Sequence, residues 1–308
     1  NQSLTNAQFD YDLNLYDENY EFPEIYDYFT FEVNEDGKSV ALTDFNESLA
    51  NSTDIVIPAT VSQNADGQWI DGDDYTVVGI ADGVYNDYFL YASKGVFTGN
   101  TIITSVVLPD TLEYIGEAAF ARCSSLTSIT LPSGLVSIGD GAFSECYGLI
   151  SIDLSNCTNL TSIGNYIFRY CHRLTSITLP EGLTSIGTGA FTRCSSLTSI
   201  TLPESLKSIG NSAFSECSGL TSITLPESLK SIEEYAFSRC SGLKEVIIDS
   251  EYVYTNATST SACGYLFDNS SITTVKVLTS FLEKGTNSYI TNKFPNVRTD
   301  GNYTVYSK

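Results

Sequence analysis

The segment LTSITLPESLKSIGNSAFSECSG, residues 197–219, decides the fold, because it recurs almost unchanged over residues 220–242. The two copies differ only at the pairs Gly210/Glu233, Asn211/Glu234, Ser212/Tyr235 and Glu216/Arg239. Related copies, 23 residues long except for the 25 residues of the third, begin at Ile103, Leu126, Leu149 and Leu174. A repeat of this length is typical of a chain that winds into stacked coils.

Each copy carries the same apolar positions, which in one copy are Leu126, Ile129, Leu131, Leu135, Ile138, Ala142, Phe143 and Cys146. The first three alternate with polar residues and predict a short strand, which Pro132 ends because proline has no amide to extend a ladder. The last three predict a short helical or 3₁₀ segment. One coil leaves two apolar faces open, so stability requires stacking, and stacked strands pair as a parallel sheet.

The motif LTSITLPxxLxSIGxxAFxxCxx closely resembles the BspA-like leucine-rich repeats of bacterial and some protist surface proteins, strongly over residues 101–271. FTFEVNEDGKSVALTDF (29–45), IVIP (55–58) and YTVVGIADGVY (75–85) resemble the capping hairpin and degenerate first coils of that family, with Asp36-Gly37 as the hairpin turn. The resemblance implies an α/β solenoid, a right-handed superhelix with a parallel sheet on one face and short helical turns or strands on the other, capped at both ends.

Four regions follow from these patterns. Residues 1–27 form an acidic, tyrosine-rich segment, and residues 28–100 hold the N-terminal cap hairpin and degenerate first coils. Residues 101–271 are the repeats, and residues 272–308, where the period is lost, are expected to cap the last apolar face.

The charge of −22 argues against nucleic-acid binding and against anionic membranes, since it repels phosphate. No stretch approaches the roughly 18 consecutive apolar residues of a membrane span, so we expect no direct membrane insertion. A low proportion of charged residues, 17%, together with many Ser, Thr, Asn and Tyr residues suits an extracellular or cell-surface location.

The cysteines recur at one position of successive coils, which points their thiols in parallel and is poor geometry for a disulfide. We interpret them as a buried thiol ladder; the alternatives are some disulfide, for example one involving Cys157, or a metal site. The ladder comprises Cys123, Cys146, Cys171, Cys194, Cys217, Cys240 and Cys263. His172, the only histidine, is predicted to be a variable surface residue. We find no catalytic or cofactor motif and predict that the chain is not an enzyme.

The acidic run DGQWIDGDD has the carboxylates for a Ca²⁺ site at Asp66, Asp71, Asp73 and Asp74, although its spacing matches no EF-hand loop. A solvated acidic turn is the preferred interpretation. Possible glycosylation sites are the Asn residues that begin N-x-Ser/Thr sequons, and they would be modified only in a host that glycosylates proteins. The eight sequons begin at Asn1, Asn46, Asn51, Asn156, Asn159, Asn256, Asn269 and Asn302.

Residues that alternate with the inward positions of the strands are predicted to point outward, on the face that is concave in curved solenoids. This candidate partner-binding face comprises Ser105, Ser128, Thr130, Ser151, Asp153, Ser176, Thr178, Ser199, Thr201, Ser222 and Thr224, with Val107 among them. The alternative is that these hydroxyl side chains only favour strand formation and solubility. Specificity is expected at deviating positions: Asp153, Asn156–Asn159, His172, Glu233–Tyr235 or the caps.

The resemblance implies adhesion or protein binding through the repeat face, with an extracellular or host protein as the partner. A structural spacer or a self-assembling surface-layer or filament component is the first alternative. A carbohydrate-binding accessory module is the second, and it gains little support because the tyrosines lie mainly before residue 100 or after residue 250.

Overall fold

The computed structural model describes residues 29–46, 53–63, 68–86, 91–93, 95–251, 271–284 and 287–308. The first strands are β1 (Phe29–Val33), β2 (Ser39–Phe45), β3 (Asp54–Val56), β4 (Thr60–Gln63), β5 (Trp69–Ile80), β6 (Val84–Asn86) and β7 (Tyr91–Ser93). Strands β1 and β2 pair antiparallel around Gly37, whose φ of 64° suits the turn. The Asp36 carboxylate accepts hydrogen bonds from the Lys38 and Ser39 amides and closes this hairpin.

Between residues 95 and 251 the chain winds into a β-solenoid whose coils have three sides. The long-strand face contains β8 (Ser105–Val107), β10 (Ser128–Thr130), β12 (Ser151–Asp153), β14 (Ser176–Thr178), β17 (Ser222–Leu225) and β19 (Glu245–Ile248). The short-strand face contains β9 (Tyr114–Ile115), β11 (Ser137–Ile138), β13 (Ser162–Ile163), β15 (Ser185–Ile186), β16 (Ser208–Ile209) and β18 (Ser231–Ile232). Equivalent strands pair in parallel, with serine opposite serine in most rungs.

The ends of the solenoid extend different faces. Strand β2 pairs in parallel with β5, and β5 with β9, so the N-terminal hairpin continues the short-strand face. The chain closes with β20 (Thr274–Leu278), a 3₁₀ helix (Thr279–Lys284), α1 (Ser288–Lys293), β21 (Asn296–Asp300) and β22 (Tyr303–Ser307). Strands β20, β22 and β21 continue the long-strand face, the last two in antiparallel pairing.

The third side, which we call the turn side, contains no helix within residues 95–250, where the sequence predicted short helical turns or strands. Two residues four apart in each coil have positive φ, which interrupts a right-handed helix. They are Ala118, Arg122, Gly141, Glu145, Tyr166, Tyr170, Gly189, Arg193, Ser212, Glu216, Tyr235 and Arg239. The α/β character of the prediction therefore does not extend to these coils, which are strands joined by turns.

The turn side forms its own hydrogen-bond ladder between coils. The amides of Gly189, Phe191 and Arg193 donate to carbonyls of the next coil at 2.7–2.8 Å. The alternate amides, such as that of Cys194, donate to carbonyls of their own coil. Every backbone amide of residues 189–194 is thus used, which offsets the cost of the left-handed residues Gly189 and Arg193.

Phenylalanine and cysteine fill the core beneath the turn side. Phe97, Phe120, Phe143, Phe168, Phe191, Phe214 and Phe237 form one stack, with neighbouring ring centroids 4.8–5.7 Å apart and interplanar angles of 1–18°. The Cys194 thiol lies 3.1 Å from the Phe168 carbonyl oxygen of the preceding coil. Cys123, Cys146, Cys171, Cys217 and Cys240 make the same contact at 3.0–3.2 Å.

These thiols are the buried ladder that the spacing predicted, and all seven described cysteines are buried and form no disulfide. Cys157, outside the ladder, approaches the Pro132 carbonyl oxygen at 3.5 Å. Cys263 lies outside the described residues. Desolvation by burial raises the pKa of Cys171 and of Cys240 to about 12, and it raises the pKa of Cys194 as well.

We predict that alkali destabilises the solenoid through these thiols. A raised pKa means that the folded chain keeps protons which the unfolded chain releases above about pH 9, so stability falls as the pH rises from about 9 towards 12. Urea unfolding at about pH 8 and about pH 10 should give a smaller pH-dependent loss for Cys194→Ala than for the parent. Equal losses in the two proteins would contradict the account.

Candidate interaction surfaces

The long-strand face presents two columns of outward side chains, because the central residue of each rung, such as Ile129 or Ile177, is buried. All eleven residues predicted for a binding face lie here. Nine are exposed, and Ser105 and Ser222 are half-buried. Ser199 and Thr201 keep the pattern around buried Ile200, although no strand is formed at this rung.

The composition of this face changes from one end to the other. At the N-terminal end, Val56 and Val107 lie side by side in register, 44% and 53% exposed. Thr130 to Thr224 supply a neutral hydroxyl surface interrupted only by Asp153. A hydrogen bond from the Ser155 amide lowers the pKa of Asp153, which keeps this carboxylate charged. Beyond this region, Lys276 Nζ pairs with Glu245 Oε1 at 3.2 Å.

The threonines that immediately precede the strands have a different role. The Thr127 hydroxyl donates to the Thr104 carbonyl of the preceding coil at 3.1 Å, and the Thr127 amide donates to the same oxygen at 2.9 Å. Thr104, Thr175, Thr221 and Thr273 make equivalent hydroxyl bonds. The structure gives the exposed hydroxyls of Thr130, Thr178 and Thr201 no such partner. The preceding threonines therefore join coils, whereas the face threonines leave their hydroxyls for other molecules.

We predict that Thr127→Val lowers the free energy of unfolding by about 1 kcal/mol, because it removes an inter-coil hydrogen bond. Thr130→Val, in the same coil and of the same size, is the matched control and should stay within about 0.5 kcal/mol of the parent. Urea unfolding of the three proteins measures this difference. Equal losses would show that the two threonine columns do not differ in this way.

The 25-residue coil interrupts both sheets. Strand β10 does not pair with β12, nor β11 with β13, whereas pairing continues on at least one face between the other coils of residues 103–248. The turn-side ladder crosses the interruption, since the Phe143 amide donates to the Ile167 carbonyl at 3.0 Å. The Asp140 carboxylate also accepts a bond from the Asn165 amide at 2.7 Å.

A groove lies beside this interruption. It has a volume of about 580 Å³ and is lined by Leu108, Asp110, Thr130, Leu131, Pro132, Ser133, Asn156 and Thr158. The two additional residues of the coil lie at this corner, where Ser155–Cys157 replace the proline turn of its neighbours. The groove therefore adjoins the long-strand face and includes one of its outward residues, Thr130.

The remaining predicted sites are placed as follows. Asp66 lies outside the described residues, as do the side chains of Asp71 and Asp73, while Asp74 is exposed in β5. No group of three His, Cys, Asp or Glu residues in the described part of the chain could hold a metal ion. Of the sequon asparagines, Asn46, Asn156, Asn159 and Asn302 are exposed, and Asn1, Asn51, Asn256 and Asn269 lie outside the described residues.

Sequence reasoning missed a cluster at the corner between the turn side and the long-strand face. Its rings are Tyr147, Tyr170 and His172, which we call the aromatic corner. Tyr147 and His172 stack nearly parallel, with ring centroids 5.7 Å apart and an interplanar angle of 6°. Tyr170 meets the His172 ring edge-on at the same distance. The signal was the repeat register, because Tyr147 and His172 occupy the position where the neighbouring coils have Ser124 and Ser195.

Hydrogen bonds fix both stacked rings. The Tyr147 hydroxyl donates to Glu145 Oε2 at 2.9 Å, and His172 Nδ1 lies 3.0 Å from the Arg193 carbonyl oxygen. Desolvation and the bond to Glu145 raise the pKa of Tyr147 to about 12, so its hydroxyl stays neutral. The corner is therefore an ordered, exposed platform of two rings.

Arginines surround the third ring. The Arg169 guanidinium lies 4.1 Å and the Arg193 guanidinium 4.9 Å from the Tyr170 ring centroid. Arg193 also donates to the Tyr170 hydroxyl at 2.9 Å and pairs with Glu216, whose hydrogen bond raises the pKa of Arg193. Arg122 pairs with Glu145 at 3.3 Å. Arg169 has no carboxylate partner among the described residues.

Comparison with known proteins places the chain in a family. The profile described as BspA type Leucine rich repeat region matches six copies, over residues 92–187 and 161–294. The match extends over more than half of the chain. The protein therefore belongs to the BspA-type leucine-rich repeat family, as the repeat motif predicted.

Several solved structures are similar to the chain. A leucine-rich repeat protein from Bacteroides ovatus has 25% identity and a TM-score of 0.38, covering 81% of this chain and 75% of its own. A leucine-rich cell-surface protein from Faecalibacterium prausnitzii has 22% identity and a TM-score of 0.37, covering 73% and 88%. The pneumococcal vaccine antigen PcpA has 16% identity and a TM-score of 0.33, covering 73% and 80%. No curated protein sequence matches the chain.

In the described part of the chain, no helix combines the length and apolar character that crossing a bilayer requires.

Proposed function

We propose that the protein is a non-catalytic binding protein, secreted or displayed at the cell surface, that holds a protein partner against the long-strand face. The observation that carries this proposal is the contrast between the two threonine columns. One column joins the coils, while the other is exposed and makes no intramolecular hydrogen bond. A rigid row of unoccupied hydroxyls can bond a partner at little cost in conformational entropy.

The N-terminal end of the face supports a protein as the partner. Val56 and Val107 give an apolar contact area beside the hydroxyl rows, and polar surface surrounds it. Protein interfaces bury apolar side chains next to polar ones, so this area and the hydroxyl rows can contact one partner together. From Thr130 to Thr224 the outward positions of this face carry no charge except that of Asp153, so the face repels an acidic partner only weakly although the chain as a whole is acidic.

Self-assembly is the second candidate function. Strand β21 lies at the edge of its sheet with all five residues exposed, including Val297 at 58%. An exposed edge strand presents backbone groups that a second copy can bond. Assembly through this edge would make the mass of the particle depend on concentration.

The test compares three proteins against immobilised collagen, laminin, fibronectin and fibrinogen. The face variant combines Thr130→Glu, Thr178→Glu, Thr201→Glu and Thr224→Glu. The control combines Ser137→Glu, Ser162→Glu, Ser185→Glu and Ser208→Glu, which adds the same charge to the short-strand face. We expect saturable binding by the parent and the control, and binding by the face variant weaker by about 100-fold, because desolvated charge disrupts a neutral interface.

Light scattering on the same samples decides between the two functions. A constant mass, together with binding that the face variant loses, supports the binding protein. Binding by none of the three proteins, together with mass that grows with concentration, would contradict partner binding and favour self-assembly.

A further inference from the structure

We propose that the aromatic corner, together with Arg169 and Arg173, binds a carboxylated sugar residue of a glycan, such as a uronic or sialic acid. This ligand class and this corner are both distinct from the protein-binding face proposed above. The stacking of the coils does not require this cluster, since the neighbouring coils have serine at the positions of Tyr147 and His172.

The two stacked rings supply a platform for a sugar ring. Tyr147 is 40% exposed, and His172 is exposed as well. The residues at the same position in the flanking coils are Ser124 and Ser195, which are too small to cover the rings. The C–H face of a pyranose packs on such aromatic surfaces, and rings held in place by hydrogen bonds lose little entropy on binding.

His172 also offers a directed hydrogen bond. Its Nδ1 faces the Arg193 carbonyl oxygen, which can only accept, so Nδ1 carries the proton of the neutral ring. The other ring nitrogen, Nε2, is then an acceptor, and the structure gives it no partner. A sugar hydroxyl that lies against the platform can donate to it.

Charge favours a carboxylated sugar over a neutral one. Five of the six arginines lie on the turn side or at this corner: Arg122, Arg169, Arg173, Arg193 and Arg239. Glu145 and Glu216 pair with three of them. Arg169 and Arg173 have no carboxylate partner among the described residues, so the corner keeps unpaired positive charge in a chain of net charge −22.

Arg169 is the most informative member of the site. Its side chain is only 7% exposed, and its guanidinium lies over Tyr170, which in turn contacts His172. The guanidinium has no carboxylate partner among the described residues, so an anionic ligand at this corner adds a favourable charge pair. The planar guanidinium also matches a carboxylate in two parallel hydrogen bonds, and exposed Arg173 can supply a second contact.

The test is calorimetric titration of the full chain with three probes: sialyllactose, a glucuronate-containing oligosaccharide, and neutral lactose as the reference. The substitutions restore the residues of other coils, so the fold tolerates them. They are Tyr147→Ser with His172→Ser to remove the platform, and Arg169→Ser with Arg173→Ser to remove the charge. Lys207→Ser with Lys230→Ser removes the same charge from the short-strand side.

We expect the parent to bind at least one carboxylated probe at least about tenfold more tightly than lactose, with each corner variant losing about tenfold or more and the lysine variant unchanged. Preference for one carboxylated probe identifies the sugar as sialic or uronic. Binding of neither, equal binding of lactose, or affinity that the corner variants retain would overturn the proposal. The long-strand face variant should bind these probes like the parent, so failure of one proposal is distinguishable from failure of the other.

Discussion

The stacking of successive coils on the turn side, together with the side chains packed beneath it, is the constraint on which the rest of the structure depends. Alternate amides of each turn donate to the next coil, and the rings and thiols below follow the same repeat. A phenylalanine carbonyl accepts both the cysteine amide of its own coil and the cysteine thiol of the next. Parallel rings and aligned thiols therefore fix the register of successive coils. Beside the 25-residue coil the strands of both sheets are not paired, and the turn-side ladder continues there together with a single bond from the Ile150 amide to the Thr127 carbonyl.

Because the inward residues hold the coils in register, the outward positions are free to vary. The inward residues of every coil are nearly identical because each must match the coils above and below it. The outward side chains of the strands and of the corners, by contrast, do not have to fit into the core between coils. Departures from the repeat at such positions, among them Asp153, Tyr147 and His172, are consequently where a uniform array can acquire recognition chemistry. Both proposed surfaces lie at positions of this kind.

The period and the apolar spacing were enough to predict the coil, its first strand and the inward cysteine ladder, because these features follow from the register of a single repeat. The turn side was not predictable in the same way. The sequence SAFSEC, residues 212–217, has the apolar spacing of a short helix. Its left-handed residues Ser212 and Glu216 are stabilised by bonds to the next coil, which local helix propensity does not take into account. The aromatic corner was missed for a related reason, since Tyr147 and His172 meet only when the additional residues of one coil are counted.

Native-state hydrogen exchange tests the central claim most directly, because it reports how firmly individual amides are held. The amide of Phe143 bridges the two coils between which both sheets are interrupted, and the amide of Phe191 makes the same bond where the short-strand sheet is continuous. If the turn side holds the solenoid together, both amides exchange at the slow rate of global unfolding, while strand β12 exchanges faster. Exchange at Phe143 more than about 100-fold faster than at Phe191 would contradict the account and assign the cohesion of the coils to the sheets.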